Sequence, residues 1–600
     1  MGARASSSAV DRALHGVLAL AIGLMPGIAI AGLREASWVD DSSTVLRFAL
    51  ASVLVTGFGY ALMLRRAKDK ADALRRLNLR ALPLMGAPLL VLLHDAELAA
   101  TRGGLIVAAI VGWSVMAGTS RLRGRDRTPK RAHRAELLGV AGAALLVGVW
   151  LARLAWIRHA SLQTNTYDFG LFVNAIWNTS HGRMFVCTLV PTGSMLDEHV
   201  SLALVPFAAL LRLGLPPVGL LVLQAIWICA GAVPLYVLAR RHLGAAGGRV
   251  FAFAYLLHPS VHVNALWDFH PLSFAAPLLI TLILYGDRRT LHPMFIASVV
   301  GLLMLREEMA FVLIAYAFSL ALGGRLRRAG GLAAVAVLFL VGLNAAMGQT
   351  SSHVARYADI ADRGGGGLSG MILAAVFDPA FVLGYALAYS KVVYVGMQSV
   401  GVLGLAALTR RAWPMLALAI AFSLLATSRH VYNPFFHYTT MLYPVVLAWA
   451  PAGVSRLAAW RWSAAPRRVQ RAAILVAIVM ASVLTSFTYG GLHDNDVFRA
   501  GFRPPRREIS NGALERLAWL EAQLDAIPDD APIAVTGRIG PHAATRPRVY
   551  AYPTEEEVDV MVVFGGDLRR EHKAELRAGV SSGAWVLESA SGSLQIYRRR

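Results

Sequence analysis

The feature that most constrains this chain is a recurring run of about 20 apolar residues, the length of α-helix that crosses the hydrocarbon core of a bilayer. Such runs include residues 14–33, 45–64, 137–157, 218–239 and 474–489. Of all residues, 56% are hydrophobic and only 16% are charged, a balance that is unusual for a soluble protein. The sequence therefore predicts an α-helical polytopic membrane protein with about fifteen transmembrane helices.

The formal net charge of +22 indicates orientation in a membrane rather than a nucleic-acid partner. Arginines concentrate in alternate short loops, as expected of segments that remain in the cytoplasm. The clearest basic segments are residues 65–80, 121–134, 240–241, 287–289, 325–328, 410–411 and 456–471. This alternation predicts a multi-pass protein of the cytoplasmic (inner) membrane with a cytoplasmic N-terminus and an extracytoplasmic C-terminus. Membrane lipids are the expected contacts of its basic loops.

Changes of composition divide the chain into three predicted regions. Residues 1–134 form an N-terminal extension of four transmembrane helices, and residues 135–490 form a transmembrane core whose first outer loop spans residues 158–217. Residues 491–600 are charged and proline-rich, which predicts a small soluble extracytoplasmic α/β domain. Within it we predict a helix at 514–527, buried strands at 533–536 and 558–564, a hairpin of 585–588 with 593–597, and an ordinary strand-to-helix turn at 537–540.

Two segments of the first outer loop are too short or too polar to cross a bilayer. Residues 168–181 place apolar side chains at helical spacing, which predicts an amphipathic helix on the membrane surface. Residues 199–213 are apolar but number only about fifteen, so we predict a re-entrant or surface-lying helix.

A set of ionisable residues lies beside the apolar runs, on the side that the charge pattern assigns to the outside. These residues are Asp168, His199, Asp268, His270, Glu307, Glu308, Arg429 and His430. Charged groups near a membrane are costly unless they are paired, hydrated or functional. We therefore predict that they converge on one external site.

Several local motifs resemble a known family. The run from Tyr167 to Phe172, the segment from Ile176 to Gly182, and the short blocks at 199–201, 256–259 and 268–271 are similar to a family of bacterial membrane proteins catalogued only as a domain of unknown function. More distantly, the layout resembles the GT-C superfamily of integral membrane glycosyltransferases. The first resemblance extends over about residues 137–550.

The distant resemblance implies a many-helix fold, a large first outer loop with surface helices, and a polyprenyl-phosphate-linked sugar as donor. It also implies a catalytic aspartate just after the first helix of the core, and Asp168 matches that position. The chain departs from the superfamily in its four extra N-terminal helices. It also carries a single Asp168 where many relatives have paired acids.

The acidic candidates are judged on their own chemistry. Sugar transfer from a lipid phosphate needs a carboxylate to accept the acceptor's proton, and Asp168 suits that role. Its alternative is to cap the start of a helix. Glu307 and Glu308 are further catalytic candidates between two apolar runs, and their alternative is an outer turn neutralised by Arg306.

Cationic and imidazole groups supply candidates for binding phosphate or metal. A guanidinium binds phosphate oxygens in a bidentate manner. The predicted substrate and phosphate residues are Arg429, His430, His437, Lys391 and His270. For Arg429 and His430 the alternative is an interfacial anchor. Asp268 and His199 offer the oxygen and nitrogen ligands of a divalent metal ion, and their alternative is structural hydrogen bonding.

Two classes of function are consistent with this pattern. The favoured one is a glycosyltransferase that moves a sugar from a polyprenyl-phosphate donor to an acceptor at the outer face of the membrane. The other is a transporter or a non-catalytic membrane scaffold. A transporter is expected to place polar groups near the midplane, whereas this chain concentrates them at one face.

Overall fold

The computed structural model describes residue 61 and residues 130–347, 356–459 and 467–600. The four predicted N-terminal helices lie outside these residues. The described part consists mostly of helices, with a small β-sheet near the C-terminus.

The helices of the first part are α1 (Lys130–Ala160), α2 (Leu171–Ser180), α3 (Met195–Glu198), α4 (Leu204–Arg212), α5 (Val218–Ala230), α6 (Ala232–Leu256) and α7 (Pro259–Leu266). They are followed by α8 (Ala275–Gly286), α9 (Pro293–Leu305), α10 (Met309–Leu322), α11 (Leu326–Met347), α12 (Ala358–Arg363), α13 (Gly367–Phe377), α14 (Pro379–Ala386) and α15 (Tyr389–Ser399). The last helices of the bundle are α16 (Trp413–Leu424), α17 (Tyr443–Leu457) and α18 (Arg467–Tyr489).

Within the described residues, four helical segments are long and apolar enough to cross a membrane: His133–Ala160, Val218–Leu256, Leu326–Ala346 and Arg467–Tyr489. A fifth candidate, formed by α13 and α14, is bent by 101°. A multi-pass membrane protein is therefore confirmed. The total of about fifteen transmembrane helices stays a prediction.

The segment Val218–Leu256 reverses direction rather than forming one long rod. Gly244 has a φ of 77°, which breaks the helix. The Tyr255 hydroxyl donates to the carbonyl of Ile228 at 2.7 Å, and the backbone of Gly248 lies against the ring of Tyr236. Residues before the break thus face residues after it in antiparallel order. The turn between them carries the basic pair predicted at 240–241.

The basic loops of the bundle meet at one end. Arg411 forms an ion pair with Asp287 at 2.5 Å, and Arg325 donates to the Asp287 carbonyl at 2.9 Å. Arg241 donates to the Leu284 carbonyl at 2.6 Å. Helices α8, α9, α10 and α17 each run from this end to a loop that carries predicted site residues. The basic loops and the candidate site therefore lie at opposite ends of these helices.

The first outer loop differs from its predicted form. A π-helical turn, Thr166–Gly170, precedes α2, and nearly every residue of α2 is buried. The prediction of an amphipathic helix on the membrane surface is wrong, because the polar face of α2 is covered by the C-terminal region. Asn174, for example, donates to the carbonyls of Ala544 and Arg546 at 2.9 and 3.0 Å. Helix α4 has nine residues, too few to cross a bilayer.

The C-terminal region contains a five-stranded sheet in the order β2-β1-β3-β5-β4. The strands are β1 (Ile533–Val535), β2 (Val549–Ala551), β3 (Val560–Phe564), β4 (Trp585–Ser591) and β5 (Leu594–Arg599), and the helices are α19 (Asn511–Ala526), α20 (Gly540–Ala543) and α21 (Arg570–Ser581). Strand β1 pairs in parallel with β2 and β3, whereas β5 is antiparallel to β3 and β4. The strands and the hairpin predicted from the sequence are all present.

The sheet is docked on the first outer loop. The backbone N–H of Thr166 donates to the Gly537 carbonyl at 2.7 Å, and the Thr188 hydroxyl donates to the Val549 carbonyl at 2.7 Å. The rings of His159 and His542 stack 4.1 Å apart. Because these contacts join distant parts of the chain, the sheet lies at the same end of the bundle as the candidate site.

Candidate functional site

The centre of the site is the loop of residues 267–270, which we call the central loop. It connects α7 to the short 3₁₀ helix Pro271–Phe274. Gln224, buried in α5, holds this loop: its amide donates to the carbonyls of Asn264 and Trp267 at 2.9 and 3.2 Å and accepts from the His270 N–H at 2.8 Å. A buried amide that satisfies several backbone groups fixes a loop that would otherwise carry unpaired polar atoms.

On one side of the central loop lies the first cluster, built on Arg158, Asp168 and Asp268. Arg158 Nη2 is 3.0 Å from Asp268 Oδ1, and both side chains are buried. The Asn165 N–H donates to Asp268 Oδ2 at 2.7 Å, and Arg158 also donates to the Leu266 carbonyl. Asp268 is therefore paired with a cation and a backbone donor, which oppose the rise that burial causes in its pKa but do not cancel it.

Asp168 is the acid in this cluster that has no partner. It lies half-buried in the middle of the π-helical turn, and Asn165, not Asp168, caps that turn by accepting from the Tyr167 N–H. Among the described residues, its carboxylate makes no hydrogen bond or ion pair. Burial and the charge of Asp268 raise the pKa of Asp168 to about 7, against a smaller lowering by Arg158. Asp168 therefore caps neither this turn nor α2, although it lies in the first turn of the π-helical segment. Its carboxyl group has a pKa close to neutral pH.

On the other side lies the second cluster, built on Arg306, Glu307 and Glu308 in the turn between α9 and α10. Arg306 Nε is 2.6 Å from Glu308 Oε2, and Arg356 Nη1 is 2.9 Å from Glu308 Oε1. Burial would raise the pKa of Glu308, but these two guanidinium groups outweigh it and lower the pKa to about 2. Glu308 is therefore an ionised, fully paired carboxylate.

Glu307 is engaged as well. Its Oε2 accepts from the Val200 N–H at 2.9 Å, and its Oε1 lies 3.6 Å from His199 Nδ1. Arg306 Nη2 lies 3.1 Å from His199 Nε2. The two glutamates thus connect the turn to the first outer loop, and both are buried.

Two buried histidines extend the second cluster to the central loop. The rings of His270 and His437 stack 3.9 Å apart, and the rings of His199 and His270 are 6.5 Å apart. Burial lowers the pKa of both His270 and His437, so their imidazoles are neutral. Both nitrogens of His437 and Nδ1 of His270 have no hydrogen-bond partner among the described residues.

The aromatic ring of Phe172 connects the two clusters. It lies one helical turn after Asp168 and packs 4.8 Å from the ring of His270. Asp268 and His270 belong to the same loop, on either side of Phe269. The structure therefore brings seven predicted site residues to the central loop or its neighbours: Asp168, Asp268, His270, Glu307, Glu308, His199 and His437, the last from the segment before α17.

Three predicted phosphate-binding residues lie apart from these clusters. Arg429 and His430 are exposed, and the ring of His430 packs 4.9 Å from Phe436 and 5.7 Å from Phe502. Lys391 is buried, donates to the carbonyls of Leu424 and Ala426, and lies 3.4 Å from the centre of the Tyr385 ring. The ammonium group of Lys391 thus already binds protein groups. Arg429 and His430 lie on the surface, outside the two clusters.

The predicted metal ligands do not form a ligand set. Asp268 is paired with Arg158, whereas His199 contacts Arg306 and Glu307 in the other cluster. Within the described residues, no group of three or more histidine, cysteine, aspartate or glutamate side chains is arranged to hold a metal ion. Cys187 and Cys229 are both buried free thiols.

Sequence reasoning missed several residues of the site. Arg158 and Arg356 resemble ordinary loop arginines, and Gln224 is a single polar residue within an apolar run. The glutamine carried a usable signal, because an amide inside a membrane helix needs partners. The arginines carried none, since their acidic partners are about 50 to 110 residues away in the sequence, a separation that no local pattern spans.

The chain has several apolar helices, with basic loops at one end and the polar clusters and the sheet at the other. This arrangement is that of a multi-pass membrane protein. The chain matches the family described as "Predicted membrane protein (DUF2079)" over residues 158–565, and it belongs to that family. No curated protein sequence matches it.

Among solved structures, the chain is similar to the crystal structure of ArnT from Cupriavidus metallidurans bound to undecaprenyl phosphate. The two share 11% sequence identity with a TM-score of 0.43, and the alignment covers 75% of this chain and 97% of that chain. This weak likeness establishes neither a substrate nor a mechanism.

Proposed function

We propose that this protein is a membrane glycosyltransferase that moves a sugar from a polyprenyl-phosphate donor to an acceptor at the outer face of the cytoplasmic membrane. The observation that carries the proposal is the Asp168 carboxylate, which is half-buried and unpartnered within the described residues while the acids around it are paired. Its position just after the first helix of the core is the one by which the sequence resembles the GT-C superfamily.

Asp168 is assigned the role of general base. A base that works near neutral pH needs a pKa near neutrality and a free lone pair, and the burial of Asp168 next to Asp268 provides both. Asp268 and Arg158 position this carboxylate and contribute its electrostatic environment, so we assign them a supporting role.

Glu307 and Glu308 are assigned a positioning role instead of the catalytic one predicted from the sequence. Glu307 is held by a backbone N–H and Glu308 by two arginines, and Glu308, with its pKa lowered to about 2, is a poor proton acceptor. Together they orient Arg306 and His199. His270 and His437 lie beside them, with unpartnered nitrogens that suit the hydroxyl groups of a sugar.

The proposed orientation follows from the separation of charge along the bundle. The basic end would face the cytoplasm under the positive-inside rule, and the site and sheet would then face outward. The polar clusters lie at one end of α8, α9, α10 and α17, rather than midway along broken helices as expected of a transporter. A divalent metal ion is not part of the proposal, because Asp268 and His199 face different partners.

The test is transfer of a radiolabelled sugar from polyprenyl-phosphate donors to membrane acceptors by the full-length protein. We expect Asp168→Asn to lower the transfer rate by about 100-fold to 10,000-fold, the range for loss of a general base. Asp197→Asn is the matched control, because Asp197 lies in the same outer loop and its side chain makes no ion pair with the described residues. Transfer by Asp168→Asn at the wild-type rate would reject the proposed base.

A further inference from the structure

One cation near Asp268 is left without a partner among the described residues. Three guanidinium groups lie around the first cluster, those of Arg158, Arg503 and Arg538. Arg158 is paired with Asp268 at 3.0 Å, and Arg538 is paired with Asp567 at 3.0 Å. The guanidinium of Arg503 is half-buried and makes no hydrogen bond or ion pair with any described residue. Asp168 in the first cluster and Arg503 beside Asp268 are thus both unpaired among the described residues.

The backbone around Arg503 is fixed against the central loop. The Ala500 N–H donates to the Arg503 carbonyl at 2.9 Å, and the Gly501 N–H donates to the Phe435 carbonyl at 3.1 Å. Gly501 has a φ of 81°, and a side chain there would collide with the ring of Trp267. The turn therefore rests directly on the residue that precedes Asp268.

The electrostatic environment of Arg503 agrees with this position. Burial lowers the pKa of Arg503, as do the neighbouring guanidinium groups of Arg538 and Arg158, while Asp567 and Asp268 act in the opposite direction. Arg158 and Arg538 are each paired with an acid, Asp268 and Asp567, so Arg503 is the guanidinium of the three that has no ion-pair partner among the described residues. A guanidinium without a paired acid favours an anion.

An exposed aromatic surface adjoins Arg503. The side chain of Phe502 is 70% exposed. Its ring packs at right angles to Phe436 at 5.1 Å and to His430 at 5.7 Å. Arg429, also exposed, adjoins His430. A cation beside an open aromatic surface matches a ligand with an anionic head and an apolar chain.

We infer that Arg503 binds the phosphate of the polyprenyl donor and stabilises it as the leaving group, with Phe502 contacting the first part of the lipid chain. This inference rests on the proposed function and names a residue from the segment that leads into the C-terminal sheet. The site is then completed by a part of the chain that follows the last membrane helix.

The proposed sugar transfer is a displacement at the anomeric carbon. Asp168 takes the proton of the acceptor hydroxyl, and the acceptor oxygen forms a bond to the anomeric carbon of the sugar. The bond between that carbon and the phosphate oxygen breaks, and its electron pair goes to the phosphate. Arg503 offsets the negative charge that develops there. The products are the glycosylated acceptor and the polyprenyl monophosphate.

The test measures binding of farnesyl phosphate and of farnesol to the full-length protein in lipid nanodiscs. We expect Arg503→Gln to weaken farnesyl phosphate binding about tenfold or more, because a charge-assisted contact is lost, and to leave farnesol binding unchanged. Arg503→Lys should restore part of the affinity, since it keeps the charge but not the bidentate geometry. Arg506→Gln is the matched control, because Arg506 is exposed three residues further on.

The outcomes separate the inference from the proposed function. Equal affinity of wild type and Arg503→Gln for farnesyl phosphate would overturn the role of Arg503 and leave the assignment of Asp168 intact. Failure of the wild type to prefer farnesyl phosphate over farnesol would overturn the proposed donor class and this inference with it. Asp168→Asn should bind farnesyl phosphate as the wild type does, because it removes the base and not the phosphate contact.

Discussion

The two clusters on either side of the central loop contain similar residues but differ in how their acids are paired with cations. In the second cluster, Glu308 lies between Arg306 and Arg356, and its pKa is lowered to about 2. In the first cluster, Arg158 is committed to Asp268, and the pKa of the neighbouring Asp168 is raised to about 7. Similar residue types therefore give a fixed ion network in one place and a titratable acid in the other.

The difference shows that the role of a buried acid is indicated by its ion-pair and hydrogen-bond partners and not by how deeply it is buried. A carboxylate held by two guanidinium groups supports the fold, because removing it leaves cations buried without compensation. A carboxylate without a partner costs stability and persists where it has a chemical use. We therefore assign a structural role to the second cluster and a catalytic role to the first.

The largest expected effect on stability comes from Glu308→Gln. This change leaves Arg306 and Arg356 buried next to a neutral amide, and we expect the free energy of unfolding to fall by about 3–5 kcal/mol. Asp168→Asn, in contrast, should leave stability unchanged or raise it, because it removes an uncompensated charge. Denaturant unfolding of each full-length variant in detergent micelles measures both. A stable Glu308→Gln variant together with a destabilised Asp168→Asn variant would reverse the roles given to the two clusters.

A smaller effect is expected where the sheet meets the first cluster. A side chain at Gly540 would collide with Thr166, which begins the turn that carries Asp168. Gly540→Ala should therefore cost about 1–3 kcal/mol of stability and lower the transfer rate by shifting that turn.

Gly537→Ala is the control for this change, since a methyl group there would meet its nearest neighbour, Asp567 Oδ2, at an ordinary 3.5 Å. Combining Gly540→Ala with Thr166→Ala should recover part of the loss in both measurements. Equal behaviour of the two glycine variants would show that docking of the sheet does not position Asp168.

The smallest expected effect is a pH dependence of opposite sign in the two clusters. Folding raises the pKa of Asp168 from 3.8 to about 7, so the folded chain holds a proton that the unfolded chain releases, and stability falls as pH rises through this window. Folding lowers the pKa of Glu308 from 4.5 to about 2, so its contribution is lost only as pH falls below its usual range. Unfolding at about pH 5 and pH 8 should show a loss of stability in the wild type that is smaller in Asp168→Asn. A larger loss in the variant would contradict the raised pKa.

The sequence was sufficient for the features that depend on local patterns. Short hydrophobic segments located the strands at 533–536 and 558–564 and the hairpin of 585–588 with 593–597, but not strand β2, and apolar length located the long helices. The position of Asp168 after the first helix of the core singled it out, although its lack of a partner could not be read from its neighbours. Short motifs also indicated the family, over about residues 137–550, and the family model matches residues 158–565.

The features that the sequence could not supply are those made by distant segments. Helix α2 was misjudged because its polar face, which would otherwise meet water, is covered by residues 544–546. The pairing of Glu308 with Arg356 and the approach of Arg503 to the central loop arise from packing across long separations. Such contacts are fixed by the tertiary fold, and a single sequence carries no periodic signal for them.

The central claim is that Asp168 is an acid with a pKa near neutrality that exchanges a proton during transfer. An infrared difference titration of wild type against Asp168→Asn tests this claim most directly, because a protonated carboxyl group has its own carbonyl band. The account predicts a band in the wild type that disappears as pH rises through about 7 and is missing from the variant. A difference spectrum without such a band, in which Asp168 is already ionised at about pH 5, would contradict it.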